Sequence, residues 1–455
     1  MSEEREDSPA GEPLGRLDRL LGLFSDVRAG EAGTALLMFL NIFTILVGYY
    51  VIKTVREPLI INTGGAEVKA YSAAGQAIVL MGFIPLYSWF ASRVGRMRLV
   101  IGFNLFFIAC LEVFYLAGRA SVPYTGVAFF IWVGIFNNAV VAQFWSYAND
   151  IYSRAAGERL FPVIVIGMTA GTPVGSKLAE ELFRPRIDPY AMMQVGVVTL
   201  IASLALYAVV DRRAARDRDG SAEEAAPAPS QPEAMSRSGG FALVFRNRYL
   251  LLIALTLVLA NWVNTTGEYV LDRMIEAEAM SLPETERDAF VGAFRGNFYF
   301  WVNICTMLIQ AFLVSRIVKY LGIAGVIFAL PFVALGAYGL IASGVGFAVL
   351  RWAKTAENAT DYSVMNTAKA MLWLPTTREE KYKAKQTTDT FFVRVGDLLQ
   401  AATVFVGTSL LGLGVAGFAA LNVGLVAVWL FVSYRLLKEN RALGSEREEA
   451  AAARA

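Results

Sequence analysis

The sequence predicts an all-α integral membrane protein: twelve transmembrane helices in two pseudo-symmetric six-helix halves. Three observations carry that expectation. Of the 455 residues, 56% are apolar and 18% charged, against about 45–50% and about 25% in a soluble globular chain. The excess is gathered into runs of about 20 residues, enough to cross a hydrocarbon core roughly 30 Å thick. The runs also divide six and six about a polar stretch near the middle of the chain.

Taken in order, residues 1–30 form an acidic tail in which Leu14, Leu17, Leu20, Leu21 and Phe24 recur at helical spacing beside Arg16, Asp18 and Arg19. That pattern predicts a short helix lying in the membrane interface. No apolar signal core or Arg/Ser-rich transit start is legible there. The first six spans are expected at about 31–55, 70–91, 98–118, 122–150, 160–182 and 190–210, making a half over 31–210. Residues 211–247, rich in charge, Pro, Ala and Ser, predict a flexible linker. The second six are expected at about 248–270, 296–316, 321–342, 344–373, 389–411 and 416–438, a half over 248–440, followed by a tail over 441–455.

Basic residues fix the orientation, because short loops rich in Lys and Arg stay on the cytoplasmic side. One side holds Arg93, Arg96, Arg98, Arg154, Arg159, the linker arginines, Arg316, Lys319, Arg378, Lys381, Lys383, Lys385, Arg435, Lys438 and Arg441. The other holds few basic residues and an acidic loop from Asp272 to Asp288. Both termini and the linker are therefore expected in the cytoplasm.

Composition also excludes. The chain has no histidine, so Ser-His-Asp and Cys-His nucleophiles and His-ligated metals are absent. Cys110 and Cys305 fall in different apolar runs and suggest no metal or redox motif. No catalytic residue, metal site or cofactor is expected, and the net charge of +2 gives no reason to expect nucleic acid. Gly412, Gly414 and Gly417 spell a dinucleotide fingerprint without its strand–helix context. Gly167, Gly171 and Gly175 recur every fourth residue and predict close approach of a neighbouring helix.

The informative charges lie inside the spans, where one facing lipid costs roughly 2.5–3.5 kcal/mol even on a lenient scale. Span 10 carries Arg351, Lys354, Asn358, Asp361, Met365 and Lys369 at helical spacing, with Glu357 nearby. These predict a stripe facing a wet cavity or paired partners. Span 1 ends with Lys53, Arg56 and Glu57. Span 7 puts Asn261, Asn264, Thr265 and Glu268 on one face. Span 4 carries Asn137, Asn138, Asn149 and Asp150, and span 11 carries Asp389, Arg394 and Asp397. The basic members Lys53, Arg56, Lys354 and Lys369 outnumber nearby acids, so a cationic cavity for an anionic solute is expected, Arg suiting phosphate or carboxylate. The bland alternative is a network of ion pairs that only holds the bundle closed.

The loop Ala91-Ser-Arg93-Val-Gly95-Arg96-Met-Arg98 resembles the signature between helices 2 and 3 of the major facilitator superfamily, and Ser315-Arg316-Ile-Val-Lys319-Tyr-Leu-Gly322 is a fainter echo in the second half. The resemblance implies that fold, with helices 1, 4, 7 and 10 around a central cavity, and a gating role for Arg93 and Arg96. A closer resemblance is to the ATP/ADP translocase (nucleotide transporter) family. It runs through Tyr362-Ser-Val-Met-Asn-Thr-Ala-Lys369, Trp373-Leu-Pro375, Lys381-Tyr-Lys383-Ala-Lys385 with Asp389, and Arg394-Val-Gly396. It extends to Phe144-Trp-Ser-Tyr-Ala-Asn149, Asn264-Thr-Thr-Gly-Glu268 and Lys53-Thr-Val-Arg56-Glu57. Near Val133, at Asn366 and at Asp397, the chain departs from the family's charged pattern.

The resemblance implies a secondary transporter exchanging a nucleotide by alternating access, in a bacterial inner membrane, as a monomer. Expected to bind the solute are Lys53, Arg56, Asn138, Asn149, Asn264, Glu268, Arg351, Lys354, Asn358 and Lys369. Coupling or gating is expected of Glu57, Arg93, Arg96, Glu357, Asp361, Lys385, Asp389 and Arg394. The alternatives are a carrier of another organic or phosphorylated anion coupled to H+, and a membrane scaffold or sensor with the same fold.

Overall fold

The computed structural model describes residue 28 and residues 31–91, 93–184, 187–220, 239–377 and 379–452. The expected interfacial helix, residues 221–238 of the linker and residues 453–455 lie outside them. Among the described residues helices joined by short turns are the only regular secondary structure. Eight helical stretches are long and apolar enough to cross a membrane, and two of them, Glu31–Tyr87 and Glu284–Ala342, are double length.

Each double stretch turns back at a glycine. In Glu31–Ala91 the break falls at Gly64 and Gly65, the latter with φ 71°, so we number its arms α1 (31–63) and α2 (66–91). A left-handed φ strains a residue with a Cβ and suits glycine. Helices α3 (Arg96–Arg119), α4 (Thr125–Ile151), α5 (Arg154–Phe183) and α6 (Pro189–Gly220) complete the first half. After a short helix Gly240–Arg246 come α7 (Arg248–Met280) and α8, which starts at Glu284 and ends at a second glycine break, Gly322, with φ 59°. Then follow α9 (323–342), α10 (347–372), α11 (380–410) and α12 (Val415–Ala452). Helices α5 and α10 complete the twelve; both carry several ionisable residues, which dilute their apolar character.

The helices run past their hydrocarbon-length cores. Helix α1 continues to residue 63, α7 to Met280, and α8 begins at Glu284, twelve residues before the expected span. Residues 211–220 and 240–246, read as flexible linker, are helical, and so are 441–452 of the tail. Runs rich in Ala, Arg, Glu and Leu are strong helix formers and need no lipid to stay helical.

Within the first half α1 and α2 pack on α4, α5 and α6; within the second, α12 packs on α7 and α9, and α11 on α7. The halves meet where α5 crosses α8 and the α1–α2 hairpin crosses α11. Small residues permit this closeness. A Cβ on Gly167, Gly171 or Gly175 would lie 2.6–2.7 Å from the carbonyl oxygens of Phe39, Phe43 and Val47 on α1. At the crossing of the halves, a Cβ on Gly296 of α8 would lie 2.7 Å from the backbone nitrogen of Glu180 on α5.

Candidate functional site

Between the halves lies a cavity of about 350 Å3, within the range of small-molecule sites. Helix α1 contributes Lys53 and Arg56, α2 Lys69 and Gln76, and α4 Phe130. From the second half α7 contributes Asn261, Asn264, Glu268 and Asp272, α8 Tyr299, α10 Asn358, Asp361 and Tyr362, and α11 Arg394, Asp397 and Gln400. Polar groups thus converge from six helices on one chamber, where water or a solute can satisfy them.

The α1 cations are held by aromatic rings. Lys53 Nζ lies 5.0 Å from the Tyr50 ring centre and 4.2 Å from that of Tyr299, with no carboxylate at ion-pair distance among the described residues. Arg56 stacks 4.5 Å from the Phe130 ring and gives its Nε to Glu57 at 3.1 Å. Its two Nη groups have no acceptor among the described residues and border the cavity. Cation–π contacts of this kind hold a cation while leaving its donors available.

Toward the end opposite the termini, the cavity is closed by buried ion pairs. Lys69 pairs with Glu57, and with Asp272 at 2.9 Å. Arg295, 1% exposed, pairs with Asp272, with Glu268 at 3.2 Å and with Glu57 at 3.5 Å. Tyr299 donates to Glu57 at 3.0 Å. Lys69 and Glu57 belong to the first half and Asp272 and Arg295 to the second, so this cluster joins them. Nearby, Asn62 donates to Asp288, and the Ala66 N–H to Glu276 at 3.1 Å.

Helix α10 backs the cavity. Lys354 and Glu357 are both buried and pair at 2.7 Å, and Tyr338 of α9 donates to Glu357 at 2.6 Å. Asn358 donates to Glu268 at 2.8 Å. The α-helix gives way to a π-helical turn at Asp361–Met365, a feature found often at functional sites. It places Asp361 and Tyr362 side by side on the cavity wall.

The structure therefore brings together Lys53, Arg56, Asn264, Glu268, Asn358, Asp361 and Arg394 in the cavity. Glu57, Lys354 and Glu357 stand directly behind it. Five residues expected to bind solute do not line it, Lys354 behind the wall being one of them. Asn138 donates to the Gly134 carbonyl on its own helix. Asn149 sits at the linker-side end of α4, in a separate cavity with Tyr152 and Phe161. Arg351 donates to Asn297 of α8 and lies over the Phe294 and Trp352 rings. Lys369 leaves the stripe because the π turn adds a residue to the helical repeat, and it is not among the residues lining the cavity. Arg93 covers the Trp89 ring, while Arg96 ties α3 to α6 through Asp211 at 2.9 Å and to the Asp150 carbonyl of α4 at 3.3 Å.

The expected surplus of positive charge is also corrected. Lys369 lies elsewhere, and Asp272 and Asp397 join the wall, so basic and acidic groups lining the cavity are equal in number. Lys69, Asp272 and Arg295 escaped the sequence reading because they fall on helix ends beyond the apolar runs. Acidic and basic residues of unlike sign flanking two adjacent runs were the available signal.

A family model described as "TLC ATP/ADP transporter" matches residues 123–444. The chain is 22% identical to ADP,ATP carrier protein 1 of Chlamydia trachomatis, over 97% of this chain and 94% of the relative. It is 23% identical to ADP,ATP carrier protein 1 of Chlamydia muridarum with the same coverage. Among solved structures, the nucleoside transporter NupG superposes with a TM-score of 0.59 at 10% identity, covering 89% of this chain and 98% of that one. The POT family transporter PepTSo gives 0.62 at 12% identity with the same coverage. The shared architecture is the major facilitator fold.

Proposed function

This chain belongs to the TLC ATP/ADP transporter family, and from that membership we propose that it moves an anionic, nucleotide-like solute by alternating access through the central cavity. The observation that carries the reading is the pair Lys53 and Arg56. They sit on one face of α1 with donors open to a chamber built from both halves. Arg guanidinium groups match phosphate oxygens in a bidentate fork. The rings of Phe130, Tyr299 and Tyr362 border the same space and suit the flat face of a base. Asn264, Glu268 and Asn358 would orient the solute from the second half. The Chlamydia relatives are named as ADP,ATP carriers, which favours a nucleotide over other anions.

In this reading the protein works as a monomer in a bacterial inner membrane with termini and linker in the cytoplasm. The residues joining the halves at the far end, Glu57, Lys69, Asp272 and Arg295, then close the periplasmic side. Arg93, Arg96, Lys385 and Asp389 serve the gate at the linker side. The test is uptake of labelled ATP and ADP by proteoliposomes, with and without nucleotide trapped inside. Saturable uptake stimulated by internal nucleotide is expected, and Arg56→Gln should reduce it by about tenfold or more, the loss of one charge-assisted contact. Absence of uptake for every nucleotide would remove the proposal.

A further inference from the structure

The ionisable groups in and behind the cavity pair off. Lys354 is matched by Glu357 at 2.7 Å and Arg394 by Asp397 at 3.3 Å. Lys69 and Arg295 together match Glu57 and Asp272. Arg56 is held by Glu57 at 3.1 Å, and Glu268 is shared by Arg295 at 3.2 Å and Lys354 at 3.7 Å. What remains without an opposite charge at ion-pair distance among the described residues is Lys53 on α1 and Asp361 on α10. The remainder is equal in number, opposite in sign, and divided between the halves.

Of Glu268 and Asp361, the latter is the less satisfied. Glu268 accepts from Asn358 at 2.8 Å and from Arg295 at 3.2 Å. Asp361 accepts from the Asn264 amide at 3.2 Å and has no Lys or Arg at ion-pair distance among the described residues. It lines the same cavity as Lys53, which likewise lacks an opposite charge at contact. A wall that is neutral in sum offers no net counter-charge to a solute bearing several negative charges, and in a poorly polarisable site the acids would repel it.

We infer that the solute is dipolar: an anionic group held by Lys53 and Arg56, and a cationic group held by Asp361 with Glu268, with small net charge. This rests on the carrier reading above and narrows its substrate class from nucleotides at large to nucleotides bearing a cationic substituent. Asp361 is then the specificity residue, disfavouring solutes whose second end is anionic.

The test compares CTP, CDP and CDP-choline, which share base and sugar and differ at the phosphate end, as competitors and as labelled solutes in proteoliposomes. CDP-choline should be preferred over CTP by about tenfold, the scale of one charge-assisted contact. Asp361→Asn, which keeps an acceptor for Asn264, should abolish the preference, and Asp361→Glu should retain it. Equal or better handling of CTP by the unaltered protein overturns the inference while leaving the carrier reading intact. So does an equal loss for CTP and CDP-choline in Asp361→Asn. No uptake of any of the three, nor of ATP and ADP, removes both.

Discussion

Asn264 of α7 holds Asp361 of α10 through its amide nitrogen at 3.2 Å, and its side-chain and backbone oxygens take the Lys354 ammonium at 2.8 and 3.0 Å. One amide therefore stands between a carboxylate and an ammonium of the same helix. It holds them apart, so that Lys354 turns to Glu357 and Asp361 stays on the cavity wall. Asn264→Leu should take the amide from both groups while Lys354 keeps Glu357 and the residue-264 backbone carbonyl, so the cost should be about 1–3 kcal/mol in all. The melting temperature of the detergent-purified protein should fall by several degrees. An unchanged melting temperature would mean that water replaces the amide.

Close packing of α5 on α1 gives a second expectation. The carbonyl of Phe43 lies 2.7 Å from where a Cβ on Gly171 would sit. Backbone cannot swing aside as a side chain can, so Gly171→Val should part the helices at a cost of about 1–3 kcal/mol or more. Gly339 on α9 has open space at the same distance, and Gly339→Ala is the control. Membrane expression and melting temperature should drop for the first variant and hold for the second.

The twelve helices were legible because each apolar run is long enough to span a bilayer and because charge alternates across the loops. The cavity was half legible. Lys53, Arg56, Asn264, Glu268 and Asp361 sit where periodicity on single helices puts them, since an ion inside a span must turn inward. Lys369 was misplaced because an ideal helical repeat takes no account of the π turn at Asp361–Met365. Arg351 was misplaced because a stripe can turn inward without reaching the cavity; it ends against Asn297 of α8. Lys69 and Arg295 were missed for another reason. Helices continue beyond the lipid core, and charges near their ends can pair across the halves, which no hydropathy run records.

Arg96 supports a kinetic prediction. Its pairs with Asp211 and the Asp150 carbonyl tie the α2–α3 turn to the linker-side ends of α6 and α4, and both ionised side chains are partly exposed. Pairs of that kind contribute about 0–1 kcal/mol. Arg96→Gln should therefore leave the melting temperature nearly unchanged. If the turn acts in gating, the maximal rate of uptake should fall while KM is kept. A rise in KM with an unchanged maximal rate would assign Arg96 to binding instead.

The Lys69–Asp272 contact joins the two halves inside a buried cluster. Removing one member of such a pair leaves an unmatched charge and costs roughly 3–5 kcal/mol. That penalty falls on the closed arrangement alone, because opening this end hydrates the groups. Lys69→Met should therefore shift the population toward the state open on the side opposite the termini, as a few kcal/mol is enough to invert a two-state balance. The reporter is a cysteine at Ala70, buried at 5% exposure beside the cluster, in a background with Cys110 and Cys305 changed to Ser. Labelling by a membrane-impermeant maleimide from that side should quicken in Lys69→Met. Adding Asp272→Asn, which removes the unmatched charge, should slow it again. Equal labelling across the three proteins would show that the cluster stabilises the bundle without governing its opening.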